Sequence, residues 1–144
     1  MIVQGQTTLF KLNCLSGLEN FAAGTPYTYK IALYNALANL DNATTAYSTT
    51  NEVTGTGYTA GGQALTITQV PTIGNQTGNA TAYMSFQNVT WTSALTARGA
   101  LIYKSGSGNP TVCVLDFGGD KTSTSTFTVQ FPAVTNSSAI IRIA

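Results

Sequence analysis

The sequence contains no histidine. That absence removes the commonest general base near neutral pH, the serine and cysteine triads that depend on it, and most zinc sites. Charge is almost as scarce. Only 8% of residues are charged, where soluble domains usually have roughly 25%. The six basic residues, Lys11, Lys30, Arg98, Lys104, Lys121 and Arg142, stand singly, with no basic stripe to draw counterion-release affinity from a nucleic acid. No apolar run approaches the roughly 20 residues of a membrane-spanning helix, and Met1-Ile2-Val3-Gln4-Gly5 lacks the basic start and apolar block of a signal peptide. Neither nucleic acid nor membrane is an expected partner, and the simplest compartment is a cytosol. The two cysteines, Cys14 and Cys113, allow one long-range disulfide, but without histidine they make no metal set. The favoured reading is two reduced thiols packed as small hydrophobes. Five Asn-x-Ser/Thr tripeptides (at Asn42, Asn75, Asn79, Asn88 and Asn136) are the chance yield of a chain rich in Asn, Thr and Ser.

What is present is apolar and β-prone. With 144 residues, 43% of them hydrophobic, the chain is long enough for one core and argues against disorder. The polar remainder of Thr, Ser, Asn, Gln and Gly hydrogen-bonds well and repels little, which suits a protein whose exterior packs against other copies or a larger assembly.

Along the chain, Leu12, Leu15, Leu18/Glu19 and Ala22 recur every three to four residues. Thr7 or Thr8 can cap the start, and Gly24 with Pro26 close the end, so a short amphipathic helix is expected over 7–22 with that stripe against a sheet. Tyr27 to Tyr34 reads as a strand with Tyr27, Tyr29, Ile31 and Leu33 on one face, and one face partly wet. Asn35 to Asp41 reads as loop or a single turn. Residues 42–62 are poor in core residues but carry Tyr47, Val53 and Tyr58, which can pin them as one long ordered excursion. Gly55-Thr56-Gly57 within it lacks the Gly-Lys-Ser/Thr ending of a phosphate loop and reads as turn glycines. Ala64 to Val70 alternates as a strand that Pro71 ends or marks as an edge, and Asn75 to Asn79 reads as a polar turn. From Ala80 to Thr92, a break near Asn88 places Met84, Phe86, Val89 and Trp91 inward. Trp91 is most simply a core anchor, with sugar stacking as the alternative.

The clearest pattern spans 97–131, a β-meander. Its three strands, 98–103, 111–117 and 126–131, are separated by Lys104 to Pro110 and by Gly118-Gly119-Asp120-Lys121, which has turn chemistry. Ser137 to Ala144 reads as a last strand. The expected fold is mainly β, a compact antiparallel sandwich or barrel-like domain over 1–144 with one short N-terminal helix.

Chemistry is harder to place. Glu19, Asp41, Glu52, Asp116 and Asp120 are the only carboxylates, and nothing forces two of them into a cleft. No catalytic, metal or cofactor residues are assigned, and an enzyme is not expected. Asp116 interrupts an apolar strand, and a buried carboxylate needs a partner; Arg98 is the candidate for a structural pair.

Several long blocks in order, Tyr29 to Tyr34, Thr44 to Gly62, Ala97 to Tyr103 and Val114 to Lys121, together with the segment ending Glu19-Asn20-Phe21, resemble a group of small structural proteins of tailed bacteriophages. The resemblance runs from about Leu9 to Phe131. It implies a virion component assembled in the host bacterial cytoplasm and present in many copies. As a capsid decoration or cement protein it would bind the major capsid protein or other virion proteins, as a small symmetric oligomer and with no catalytic residues. The alternative it leaves is a tail or receptor-binding module that recognises a host surface glycan.

Overall fold

The computed structural model describes residues 1–76 and 79–144. The chain is mainly β, with one short helix and several antiparallel sheets arranged as a sandwich. In order the elements are β1 (Gly5–Gln6), α1 (Thr8–Leu15), β2 (Thr28–Tyr34), β3 (Gln63–Ala64), β4 (Ile67–Gln76), β5 (Asn79–Phe86), β6 (Val89–Trp91), β7 (Thr96–Ser105), β8 (Thr111–Thr122), β9 (Phe127–Val129) and β10 (Ile141–Ile143). A five-stranded sheet runs β1-β8-β7-β2-β3, a three-stranded sheet β10-β5-β4, and β6 pairs with β9.

The centre is the β2-β7-β8 triplet, and it is apolar on both faces. Alternation sends Tyr29, Ile31 and Leu33 of β2, with Ala100 and Ile102 of β7, into the main core, while Ala32, Tyr34, Leu101, Tyr103 and Val114 form a second core on the reverse face. The partly wet face expected for β2 is therefore covered. Ile2, Ala38, Leu40 and Tyr47 lie over it, because Ala32 and Tyr34 need a lid as much as Ile31 does.

Residues 42–62 add Tyr47 to that lid, and each expected anchor is in place. Tyr47 stacks on Tyr103 with ring centroids 4.6 Å apart, whereas Val53 and Tyr58 reach the main core. The Val53 N–H donates to the Leu33 carbonyl (2.9 Å), and Tyr34 bridges to Glu52. The excursion thus closes the half of the β2 edge that β3, paired at Lys30 and Ile31, leaves open.

Helix α1 forms where expected but is shorter and rotated. Gly17, at φ 68°, ends it, with Leu18 N–H donating to the Asn13 carbonyl (2.8 Å) and Gly17 N–H to that of Cys14 (3.2 Å), a Schellman stop well before Gly24. Its buried residues are Phe10 and Asn13; Leu12, Leu15 and Leu18 are exposed. The N-terminal anchorage sets this rotation. β1 pairs with β8 at Gly5 and Gln6, and the fully buried N-cap Thr7 donates to the Thr111 and Val112 carbonyls while accepting from Phe10 N–H. Phe10 is then driven inward beside Phe21 (6.1 Å), which stacks on Tyr29 (4.4 Å).

The inward set Met84, Phe86, Val89 and Trp91 is buried, with the break between β5 and β6 at Gln87-Asn88. The strand expected at 64–70 divides, its start joining β2 as β3 and its remainder running through Pro71 as the edge strand β4. Thr77-Gly78, the middle of the expected Asn75–Asn79 turn, lies outside the described residues. The last strand forms as β10 against β5.

The 97–131 meander needs correcting. β7 and β8 do form a hairpin, but Gly118 to Lys121 is no turn. β8 continues through it to Thr122, and the register moves from Gly99↔Asp116 to Ala97↔Lys121. Gly118 takes φ 75°, so residues with turn chemistry are used as a bulge. The chain turns later, where Ser123 Oγ donates to the Ser93 carbonyl and accepts from Leu95 N–H. β9 then pairs with β6, not with β8.

Gly62, where the excursion rejoins the sheet, has φ 65°, and a Cβ there would lie 1.8 Å from the Ile31 carbonyl oxygen. Gly62→Ala is expected to cost more than about 3 kcal/mol, since backbone must move. Gly5→Ala, which meets nothing within 4 Å, should cost less than about 0.5 kcal/mol. Urea melts of the two variants check the contrast.

Candidate interaction surface

The predicted pair forms: Arg98 Nη1 lies 2.8 Å from Asp116 Oδ1. It is not the buried brace that the apolar run suggested, for both side chains are about a quarter exposed, 27% and 26%. Asp116 Oδ1 also accepts from Gly118 N–H (2.8 Å), so the carboxylate holds the β8 bulge. A pair this wet is worth at most about 1 kcal/mol. Trp91 is 2% exposed and packs between Tyr58 (5.9 Å) and Phe127 (6.3 Å). It anchors the core and offers no face to a sugar.

The buried carboxylates are Glu52 and Glu19, which residue chemistry alone did not single out. Glu52 is 6% exposed. Its Oε2 accepts from Tyr47 OH (2.6 Å), and its Oε1 accepts from Tyr58 OH (2.7 Å) and Gly61 N–H (2.8 Å). Tyr58 Oη in turn accepts from Leu33 N–H (2.9 Å), and Tyr103 OH donates to the Gly61 carbonyl (2.8 Å). Charge-assisted bonds of this kind are about twice as strong as neutral ones. With both oxygens engaged, Glu52 ties the two ends of a Thr- and Gly-rich segment to the central sheet. The sequence signal was there, an acid midway between two tyrosines in a stretch with little else to bury.

Burial, then the hydrogen bond to Glu52, holds the Tyr58 and Tyr47 phenols well above the usual tyrosine range. Tyr34 is raised by burial and then by the Glu52 charge. Cys113 is a free thiol that burial pushes up to about 12.

Glu19 does for the segment after α1 what Glu52 does for the excursion. Its side chain is 2% exposed and that of Lys104 is 13% exposed, with Lys104 Nζ 3.2 Å from Glu19 Oε1. Tyr29 OH donates to Glu19 Oε2 (2.8 Å) and Asn13 Nδ2 to Oε1 (3.2 Å). Lys104 Nζ also donates to the Leu18 carbonyl (2.5 Å) and sits 4.6 Å from the Tyr27 ring centroid. These bonds lock the chain just past Gly17, so Leu18 is held outside.

The consequence is a surface ridge. Leu12, Leu15 and Leu18 are 56%, 89% and 52% exposed, the first two neighbours on α1 and the third just past its Gly17 stop. Grooves flank it. One, about 330 Å³, is lined by Phe10, Lys11, Cys14, Leu15, Arg142 and Ile143. It shares Phe10, Cys14 and Ile143 with a second groove of about 270 Å³ that reaches Phe21, Pro71 and Met84. A third groove, of about 450 Å³, is lined by Leu9, Leu18, Tyr27 and Pro110 together with polar groups that include Asn13 and Lys104. Such an array can hold apolar side chains of a macromolecular partner; it brings no pair of carboxylates together. Among the described residues no group of three or more His, Cys, Asp or Glu could hold a metal ion, and no helix is long and apolar enough to cross a membrane. Comparison with protein-family models, with curated proteins and with solved structures finds no match to this chain.

Two outcomes follow from the Glu52 brace. Glu52→Gln places an amide donor where phenols donate, and should cost about 1–3 kcal/mol in chemical denaturation. Because the folded phenols titrate above their unfolded value of about 10, the stability they supply is full below that pH and is lost above it, as the unfolded chain gives up its protons first. Melting temperature should therefore hold to about pH 9 and fall beyond about pH 10. Thermal melts across that range check it; no fall by pH 11.5 (roughly the upper end of the window) would contradict it.

Proposed function

We propose that the protein is a bacteriophage virion structural protein, a decoration or cement protein that binds the major capsid protein and stabilises the head. The observation that carries this reading is the exterior. Large apolar side chains stand exposed on separate elements, Leu15 at 89% on α1, Leu37 at 79% in the turn after β2 and Ile73 at 78% on the β4 edge. They sit on a surface whose few charges are partly consumed within, since Glu19, Glu52 and Lys104 are engaged in bonds inside the fold. Single exposed apolar side chains are ordinary on a monomer; what suits a component packed on several sides within a shell is their combination with a surface that has so little charge to hold copies apart. The blocks that carry the resemblance to phage structural proteins fall on β2, the excursion, β7 and β8, the scaffold of this domain.

A shell component occurs in a copy number comparable to that of the major capsid protein. Mass spectrometry of purified particles of the encoding phage should find the protein at that level. Particles that lack its gene product should release DNA at lower temperature or pressure than the wild type. Absence from the particles, or unchanged tolerance without it, overturns the reading. Blocking of adsorption by the purified domain would point instead to a receptor-binding module.

A further inference from the structure

We infer that the α1 ridge and its flanking grooves are a contact between two copies of this chain, related by a two-fold axis. The patch is self-complementary. Leu12, Leu15 and Leu18 project as a ridge whose helical part, Leu12 to Leu15, rises about 4.5 Å, and grooves open beside Leu15 and beside Leu18. When two such surfaces meet about a two-fold, each ridge lies in a groove of the other, and one contact serves both copies.

The area fits as well. The three leucines, with Tyr27 at 39% and Ile143 at 55% exposed, present on the order of 400–600 Å² of apolar surface, in the upper part of the range of the largest patch on a typical monomer. A standard interface takes about 800 Å² from each partner, about 65% of it apolar when the partners are identical. The ridge and its neighbours supply that apolar share.

The patch is not an accident of a loose helix. Thr7, β1 and the Glu19–Lys104 pair fix the rotation and the end of α1, so the leucines are held outward by the same bonds that bury Phe10. Lys11 and Arg142 rim the groove, and among the described residues neither is in an ion pair. Like charges meeting at the rim oppose association, and salt screens them. Self-association through this face therefore tightens as ionic strength rises, whereas a partner with an acidic rim would be released.

Sedimentation equilibrium of the purified full chain over a dilution series, on the order of 1 to 500 µM, reads the result. Wild type should reach twice the 15.0 kDa chain mass, and do so at lower concentration in high salt. Leu15→Asp should remain at 15.0 kDa and melt as wild type does at dilutions where both are single chains, because Leu15 contributes almost nothing to the monomer. Leu37→Asp, which alters an equally exposed leucine on another element, should leave the dimer intact. Alkylation of Cys14, the half-buried thiol of the groove, should slow with concentration while Cys113 stays inert. Wild type at single-chain mass throughout, a trimer, or a dimer unaffected by Leu15→Asp overturns the inference. The inference goes beyond the virion reading and fails separately from it. A monomer found in particles defeats only the dimer, and a dimer absent from particles defeats only the decoration role.

Discussion

A sheet with two apolar faces must be covered twice, and that constraint governs the rest of this molecule. β2, β7 and β8 send alternate residues into both cores, so a single opposing layer cannot suffice. The β4–β5 hairpin, β6, β9, β10 and Phe10 of α1 cover one side. The other is covered by chain that has little apolar material to offer, chiefly Ile2, Ala38, Leu40 and Tyr47. Hydrophobic burial alone would hold such a cover weakly. Glu52 makes up the difference by converting three donors from the excursion itself into charge-assisted bonds.

This explains where the charges went. Of five carboxylates, Glu19 and Glu52 are used inside the fold and Asp116 shapes the β8 bulge with Arg98. Each fixes a segment that regular secondary structure does not reach: the chain after α1, the excursion and the bulge. In a protein with so few ionisable groups, spending them on loops fixes the loops and bleaches the surface. The exterior becomes rigid in shape and poor in repulsion at once.

Much of the fold was legible, for identifiable reasons. Alternation in Tyr29 to Leu33 and the phase change at Asn88 report directly on which side chains share a face, and Tyr47, Val53 and Tyr58 stood out because their surroundings had nothing else to bury. What failed were inferences that needed a third dimension. Periodicity found a leucine stripe on α1 and set it against the sheet, whereas the stripe faces out; Thr7 decided the rotation through bonds to β8, about a hundred residues away, and so turned Phe10 inward. Gly118-Gly119-Asp120-Lys121 has the chemistry of positive φ, which serves a bulge as well as a turn. The meander lost its third strand because β9 finds β6, a pairing that local pattern does not encode. Glu52 went unread because its partners lie in sequence where no helix or strand rule links them.

The way the sheet edges are finished bears on how the molecule can meet others. β4 is long enough to template another strand, yet Pro71 and two register shifts interrupt it, and proline with bulges is how natural edges resist pairing. β10 is three residues long, and the Gln6 side chain donates to its Arg142 carbonyl (3.0 Å). Both edges of the three-stranded sheet are thus poor sites for strand addition. The exposed leucines of α1, in contrast, have their backbone satisfied within a capped helix and offer only side chains. For the dimer inferred above, contact through a face, which fits in one register, is consequently favoured over contact through these two edges, which would extend without limit. For a domain with so little charge to keep copies apart, closing the edges while leaving a bounded apolar face is what separates assembly from aggregation.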